Sequence, residues 1–397
     1  MENLQLPQLR LAPDMIHLGV GQPSPFLLPV NQLETAAAQA LGCGEGFFLA
    51  YGETRGNHNF RESLAEFLTG QYAQADQSHR GVAPDQLLIT NGNSQALDLI
   101  CTLFSKPGDT VLVEEPSYFL ALKIFADHHL NLVPVPVDEN GLVTKVLEEM
   151  LETLSPAFLY TIPFYQNPSG VTLSIQRRQE LARISACKDL LVVADEVYHF
   201  LNYTDTPPPS LGAYESQFPV ITLGSFSKIL APGLRLGWIY TSTDRLKTIS
   251  RSGLLQSGGG LNPFTSEIVS RVIQKGVLSA HIHNLKQVYA HRAGVLYRHL
   301  RAGLPETVTF QDPRGGYFIW LKFPDKIDAI ALRKAAQARN VDFYPGSLFS
   351  CSQGLKSHLR LCFAFYGEDL LIEGVNRLVR CVEQSHPDLF LGGRPRI

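Results

Sequence analysis

From about residue 85 to residue 240 the sequence alternates short, almost unbroken apolar runs with segments whose apolar residues return every three or four positions. A strand tolerates an unbroken apolar run only where both of its faces are covered, and helices on either side of a parallel sheet provide that cover. The pattern predicts a mostly parallel seven-stranded sheet, with strands at 86–90, 110–113, 132–135, 157–161, 190–194, 220–223 and 236–240. Between the first two, Leu97, Ile100, Cys101 and Phe104 share one helical face, and Lys106-Pro107-Gly108-Asp109 ends that helix with turn residues. Upstream, Phe60, Leu64, Phe67 and Leu68 make a second helical stripe, preceded by a glycine-rich loop over 41–56 that is expected at the surface or at a subunit contact.

Past residue 285 the periodicity changes. A long helical pattern leads to expected strands at 307–310, 317–323 and 358–365, with a helix near 328–339, so a smaller α+β domain follows the α/β one. A chain of 397 residues is long enough for two domains. The expected division is an N-terminal segment 1–40 packing with the small domain, a large domain 41–284 and a small domain 285–397. The 34 basic and 37 acidic residues leave a charge of -3 with no sustained basic run, which argues against a nucleic-acid partner. Apolar stretches are interrupted well before the roughly 20 residues of a membrane span. Residues 1–10 carry no secretory or lipidation signal, which makes the cytoplasm the expected compartment. Six scattered cysteines read as reduced, mostly core thiols, and neither His128-His129 nor His281-His283 has metal-ligand spacing, so no metal is expected.

The strand at 220–223 runs into Gly224-Ser225-Phe226-Ser227-Lys228, followed by Pro232-Gly233-Leu234-Arg235. A lysine in a loop is ordinarily a solvated surface residue. In a partly desolvated cleft, however, its amine loses basicity and attacks an aldehyde to form a Schiff base. The neighbours favour that second reading: Ser225 and Ser227 offer compact donors and Arg235 a planar fork, a set suited to a phosphate monoester. A phosphate-bearing aldehyde is pyridoxal phosphate. The residues Thr90-Asn91-Gly92-Asn93-Ser94-Gln95, which link the first strand to its helix, fit the same demand, because free N–H groups at a helix start attract anions. They equally suit an ordinary helix cap. Asp195 closes the strand at 190–194, where a buried carboxylate needs a partner such as a pyridinium nitrogen, or serves as a helix cap.

The run from Gly224 to Trp238 together with Asp195-Glu196-Val197-Tyr198 resembles the fold-type I, class I/II aminotransferases that depend on pyridoxal phosphate, most closely the subgroup containing α-aminoadipate/lysine and kynurenine aminotransferases. The resemblance covers nearly the whole chain. Its other pieces occur in order: Gly21-Gln22-Pro23-Ser24-Pro25, Tyr51-Gly52, Gly92 to Asp98, Glu114 to Tyr118, Gln166 to Gly170, Pro313 to Trp320 and Leu359-Arg360-Leu361. It implies the pyridoxal-phosphate transferase fold of type I, with Lys228 as Schiff-base lysine and proton shuttle and Asp195 on the pyridine nitrogen. Asn167 and Tyr198 would bond the ring hydroxyl, and Tyr118 would stack on the ring. Ser94, Gln95, Ser225 and Arg235 would bind the phosphate, to which the reading above adds Ser227. Tyr51 would reach the phosphate of a neighbouring subunit, which makes the expected assembly a homodimer with shared active sites. Arg360, in an apolar run where an unpaired guanidinium is costly, would grip the substrate α-carboxylate, with Gly21 closing over it and Asn167 beside it. A structural salt bridge is the other reading of Arg360.

The implied reaction moves an amino group from an L-amino acid to a 2-oxo acid in two half-reactions of ping-pong type. A carbon–sulfur lyase on the same fold is the nearest rival, since cofactor-binding motifs serve both chemistries. A cofactor-binding regulator would need an N-terminal helix-turn-helix, for which little sequence precedes Gly21. Phe26, Leu27, Leu28, Phe164 and Tyr165 hint at an apolar or aromatic substrate side chain, and Gly258-Gly259-Gly260 at a close backbone approach near the site.

Overall fold

The computed structural model describes residues 12, 14–75, 81–204, 208–214, 216–258 and 260–390. The expectation for residues 1–10 and that for Gly259 lie outside the described residues.

The large sheet has eight strands, in the spatial order Leu87–Thr90, Gly237–Thr241, Val220–Ser225, Val192–Asp195, Phe158–Thr161, Thr110–Glu115, Asn131–Asp138 and Gly141–Leu142. All seven expected strands are present. The eighth is a two-residue return strand, antiparallel to Asn131–Asp138, made by the turn at Glu139 and Asn140. Alternate residues explain the unbroken apolar runs. Leu112, Leu159, Val192, Ala194 and Val220 face one core with Leu147, Leu181 and Ile184. Val111, Val113, Phe158, Tyr160, Val193, Ile221 and Leu223 face the other core with Leu97, Ile100 and Phe125. Both faces are therefore dry, as near-continuous apolar strands require.

Among the seven longer strands, one runs against the rest. Gly237–Thr241 is antiparallel to both Leu87–Thr90 and Val220–Ser225. Its N-terminal end consequently lies at the same edge as the C-terminal ends of its two neighbours, where ligands of open α/β sheets gather.

In the C-terminal part the helix Val277–Gly303 carries the chain across residue 285, and Phe318–Lys322, His358–Cys362 and Tyr344–Pro345 form a three-stranded antiparallel sheet. The helix expected near 328–339 is Ala329–Gln337, capped by Asp328, whose Oδ1 accepts from the Ile330 and Ala331 N–H groups. The strand expected at 307–310 is not formed: a single bridge joins Thr309 to Lys322, so the pairing never extends into a ladder. Near the N-terminus, Ile16–His17 pairs in parallel with Val341–Asp342, whereas the helix Val30–Gly42 packs on Pro263–Gln274. No helix among the described residues is long and apolar enough to cross a membrane.

Candidate active site

Lys228 is delivered by a strand that has little freedom. Val220–Ser225 is buried throughout, and a Cβ on Gly224 would stand 2.0 Å from Cε2 of the buried Trp238. Phe226 anchors the following turn beneath the sheet edge, 5.1 Å from the Trp238 ring. The Ser227 N–H donates to Ser225 Oγ at 3.1 Å, with the two hydroxyls 3.0 Å apart. Lys228 Nζ donates to the Gly21 carbonyl at 2.8 Å and lies 5.3 Å from the centre of the Tyr317 ring, while the Tyr317 hydroxyl donates to the Lys228 carbonyl at 3.1 Å. Burial pushes the amine down to about 8, with the Arg360 cation acting in the same direction and Asp195 against it.

Asp195 ends the neighbouring strand Val192–Asp195 and is 4% exposed. Its Oδ2 accepts from the Tyr160 hydroxyl at 2.9 Å and its Oδ1 from Asn93 Nδ2 at 2.8 Å. The chain turns after it without starting a helix, so the helix-cap reading does not hold. Burial raises this carboxyl above the ordinary range, against the hydrogen bonds from Tyr160 and Asn93. Both of these side-chain donors are neutral. A buried carboxylate so placed has the chemistry to receive a cationic ring nitrogen. Tyr198, buried in the turn that follows, lies 5.5 Å from Tyr317 and 5.9 Å from Phe318 between ring centres.

Three chain segments meet at the sheet edge beside these residues. Arg235, in a left-handed conformation at φ 48°, precedes the antiparallel strand, and its Nη2 donates to the Asn91 carbonyl at 3.3 Å. Gly92, at φ 76°, leaves room for it: a Cβ there would stand 2.8 Å from Arg235 Nη2. Ser94 and Gln95 occupy the first turn of the helix Asn93–Phe104. The Asn91 N–H donates to Gln95 Oε1 at 3.4 Å, whereas the buried Gln95 Nε2 has no partner among the described residues. A glycine cradle, a free helix start, a guanidinium and an unpaired amide donor together fit a phosphate group. Tyr118 precedes the helix Phe119–Asp127 and is half-buried; burial raises its hydroxyl to about 12, so it stays neutral.

Arg360 lies in the middle of His358–Cys362 at 2% exposure. Its Nη1 donates to Asn167 Oδ1 at 2.6 Å and its Nη2 to the Gly19 carbonyl at 2.7 Å, while Nε has no partner among the described residues. Phe318, Phe349 and Tyr344 wall the guanidinium at 3.9, 4.9 and 5.3 Å. Burial lowers its basicity, and among the described residues no carboxylate forms a salt bridge with it, which removes the structural-ion-pair reading. A dry guanidinium held only by neutral acceptors has the chemistry to receive a carboxylate. Gly21 belongs to the same corner, since a Cβ on it would meet Phe318 Cζ at 3.1 Å and Arg360 Nη2 at 3.5 Å.

The structure thus brings Lys228, Asp195, Tyr198, Asn167, Arg360 and Gly21 together, with Ser225, Ser227, Arg235, Ser94 and Gln95 at the adjoining edge. Tyr51 stands apart at 90% exposure, next to Gly258 on the protein surface. Sequence reasoning gave no role to Asn93 and Tyr160, which hold Asp195, or to Tyr317 beneath Lys228. It also missed Gln166, whose Nε2 donates to the buried Glu114 carboxylate at 3.0 Å and so anchors the loop that carries Asn167. Phe164 does not line a substrate pocket: it is fully buried, stacked on His199 at 4.0 Å with the Arg178 guanidinium 4.2 Å from its ring. Tyr165 is wedged against Gly315 and Gly316, and Phe26 is 70% exposed. Gly260 does mark a close approach, because a Cβ there would meet the Glu53 carbonyl at 2.1 Å.

The family profile described as aminotransferase class I and II matches residues 13–378. The aromatic-amino-acid aminotransferase 1 of Thermococcus litoralis is 32% identical over 379 residues, covering 94% of this chain and 89% of that protein. The crystal structure of a multiple substrate aminotransferase from Thermococcus profundus superposes with a TM-score of 0.88 at 31% identity, over 95% of this chain and 93% of the other. The α-aminoadipate aminotransferase LysN of Thermus thermophilus, solved with N-(5'-phosphopyridoxyl)-L-leucine, superposes with a TM-score of 0.85 at 32% identity, over 94% and 93% of the two chains.

Proposed function

Because the chain belongs to the class I and II aminotransferases, pyridoxal-phosphate enzymes of fold type I that act on amino acids and 2-oxo acids, we propose that Lys228, Asp195 and Tyr198 form its catalytic group and Arg360 its carboxylate receptor. One observation carries this reading. An amine brought down to about 8 stands between a buried carboxylate held by neutral side chains and a buried guanidinium without an anion.

When bound, pyridoxal phosphate supplies an aldehyde for attachment and an electron-withdrawing ring that accepts the negative charge left at the substrate α-carbon. Asp195 would hold a negative charge for the ring nitrogen. Asn167, with Oδ1 committed to Arg360, retains Nδ2 and with Tyr198 would hold the ring hydroxyl. Tyr118 would stack on the ring. Ser94, Gln95, Ser225, Ser227 and Arg235 would hold the phosphate. Arg360 fixes the α-carboxylate, with Gly21 and Asn167 beside it, and so turns the α C–H toward Lys228. Lys228 Nζ, when unattached, would take that proton from the α-carbon and deliver it to the cofactor's aldehyde-derived carbon, the work of a base whose basicity lies near ambient pH. Gly21 O accepts the ammonium when the amine is unattached.

The proposed assembly is a homodimer in which Tyr51 reaches the partner's phosphate. Phe47, Leu49 and Tyr51 support it, being 86, 65 and 90% exposed on one loop, as apolar side chains awaiting a partner are. The proposed domain limits are 1–40, 41–284 and 285–397, with Val277–Gly303 as the joint between the second and third. The proposed compartment is the cytoplasm.

Lys228→Ala is the test: turnover of amino donors with pyruvate or 2-oxoglutarate should fall at least about 10³-fold while phosphate-anchored cofactor binding persists. Near-normal turnover in that variant would falsify the assignment. Pyruvate and ammonia released from a cysteine-like substrate, without amino transfer, would replace transamination by elimination.

A further inference from the structure

The segment 16–21 crosses the site as a strap. Ile16 and His17 pair with Val341 and Asp342, the Leu18 carbonyl accepts from the Cys362 N–H, the Gly19 carbonyl from Arg360 Nη2, and the Gly21 carbonyl from Lys228 Nζ. The side chain of His17, 3% exposed, folds back along this strap. Its Nδ1 accepts from the Gly19 N–H at 3.1 Å, and its Nε2 lies 3.5 Å from Asp342 Oδ2. Asp342 is fixed in turn by Arg333 Nε and Nη2 at 2.6 and 3.0 Å and by Gln337 Nε2 at 3.1 Å. The ring meets Tyr344 edge-on at 5.1 Å between centres.

Burial lowers the imidazole to about 4, and the opposing pull of Asp342 does not restore it, so His17 is neutral at neutral pH. With its single proton on Nε2 toward Asp342, Nδ1 is left as an acceptor. The contact is steric as well as polar. A Cβ on Gly19 would stand 2.8 Å from His17 Cε1 and 3.0 Å from the Tyr344 nitrogen. The imidazole therefore holds the N–H of the residue whose C=O holds Arg360.

We propose that His17 is a positioning residue for substrate binding: by gripping the Gly19 N–H it aims the Gly19 carbonyl at Arg360 and fixes the plane in which the guanidinium meets the α-carboxylate. This rests on the reading of Arg360 as the carboxylate receptor. Bidentate pairing depends on that plane, because both N–H vectors must point at the two carboxylate oxygens together. Asn167 holds Nη1 and Gly19 holds Nη2; freeing one lets the fork rotate away.

His17→Phe keeps a flat ring and removes the acceptor, and His17→Asn returns an acceptor on a shorter side chain. The probe is an α-methyl amino acid, which carries the carboxylate and amine but no α-hydrogen, titrated into holoenzyme by cofactor absorbance. His17→Phe should bind it about tenfold more weakly, or about 1.4 kcal/mol, and raise KM for the matching donor by the same factor with kcat within about twofold. His17→Asn should recover most of the affinity. Unchanged affinity in His17→Phe overturns the proposal. So does a loss of kcat and cofactor content in both variants alongside affinity, which marks plain packing. If His17→Phe does not accumulate folded, Gly19→Ala, which presses on the imidazole from the other side, must give the same rise in KM. Arg360→Gln run in parallel separates the two levels. If it too binds the probe normally, the Arg360 reading has failed; if it alone loses affinity, only the role of His17 has.

Discussion

Lys228 permits a direct measurement of the site's electrostatics. At about 8, roughly one amine in ten is neutral at pH 7, against about one in 3,000 at the ordinary value of 10.5. Burial is the largest cause, and Arg360 and Arg235 act in the same direction. Competitive labelling of the apo protein with a small acylating reagent, read by peptide mass spectrometry with free Nα-acetyl-lysine as internal standard, gives the midpoint independently of access. It should fall near 8 in the wild type. Arg360→Gln, which removes a cation, should raise it, and Asp195→Asn, which removes an anion, should lower it. The same displacement appears in stability. The folded amine releases its proton before the unfolded one does, so the unfolded chain binds more protons between about 8 and 10.5 and apo stability rises with pH across that window. The penalty below pH 8 is at most about 3 kcal/mol and smaller after allowance for the partial exposure of Lys228. A labelling midpoint at or above about 10 would refute the claim that the cleft desolvates this amine.

Arg360→Gln should reduce kcat/KM for amino and 2-oxo acids by about 10²–10³, since it removes a charge-assisted bidentate contact, with cofactor absorbance retained; steady-state kinetics with unchanged KM would count against it. Asp195→Asn keeps the shape of the side chain, so the apo protein should be no less stable to denaturant while turnover drops about 10³-fold or more; a variant that unfolds early would make Asp195 structural. Gly224→Ala places a methyl 2.0 Å from Trp238 Cε2 in a fully packed layer, and should cost more than about 3 kcal/mol in a denaturant titration or prevent folding. A normal midpoint there would mean that the tryptophan moves aside.

The sequence pattern was informative where burial imposes a period and silent where contacts depend on which strands become neighbours. The seven apolar runs could be recognised because a doubly covered strand has almost no polar residues. Residues 307–310 are equally β-prone, but the single bridge from Thr309 to Lys322 in the small sheet is all the pairing they make. Asp195 could be singled out as a carboxylate at a strand end. Its partners could not: Tyr160 looks like any aromatic of a buried strand, and Asn93 like a helix-start residue, until the sheet order places them beside it. Phe164 misled for a related reason, as proximity to Asn167 in sequence says nothing about which way a ring points. It points into the core, toward His199 and Arg178.

The reversed strand Gly237–Thr241 has a consequence for how the protein comes into being. It is the last strand of the large sheet to be synthesised, yet it is inserted between the first, Leu87–Thr90, and Val220–Ser225. Until it arrives, Leu87–Thr90 has no sheet partner and Arg235 cannot meet Asn91, 144 residues earlier in the chain. Pairings of such separation form late because the loop must close before any contact rewards it. The edge where Arg235 meets Asn91 and Gly92 is therefore the last part of the large sheet to be built.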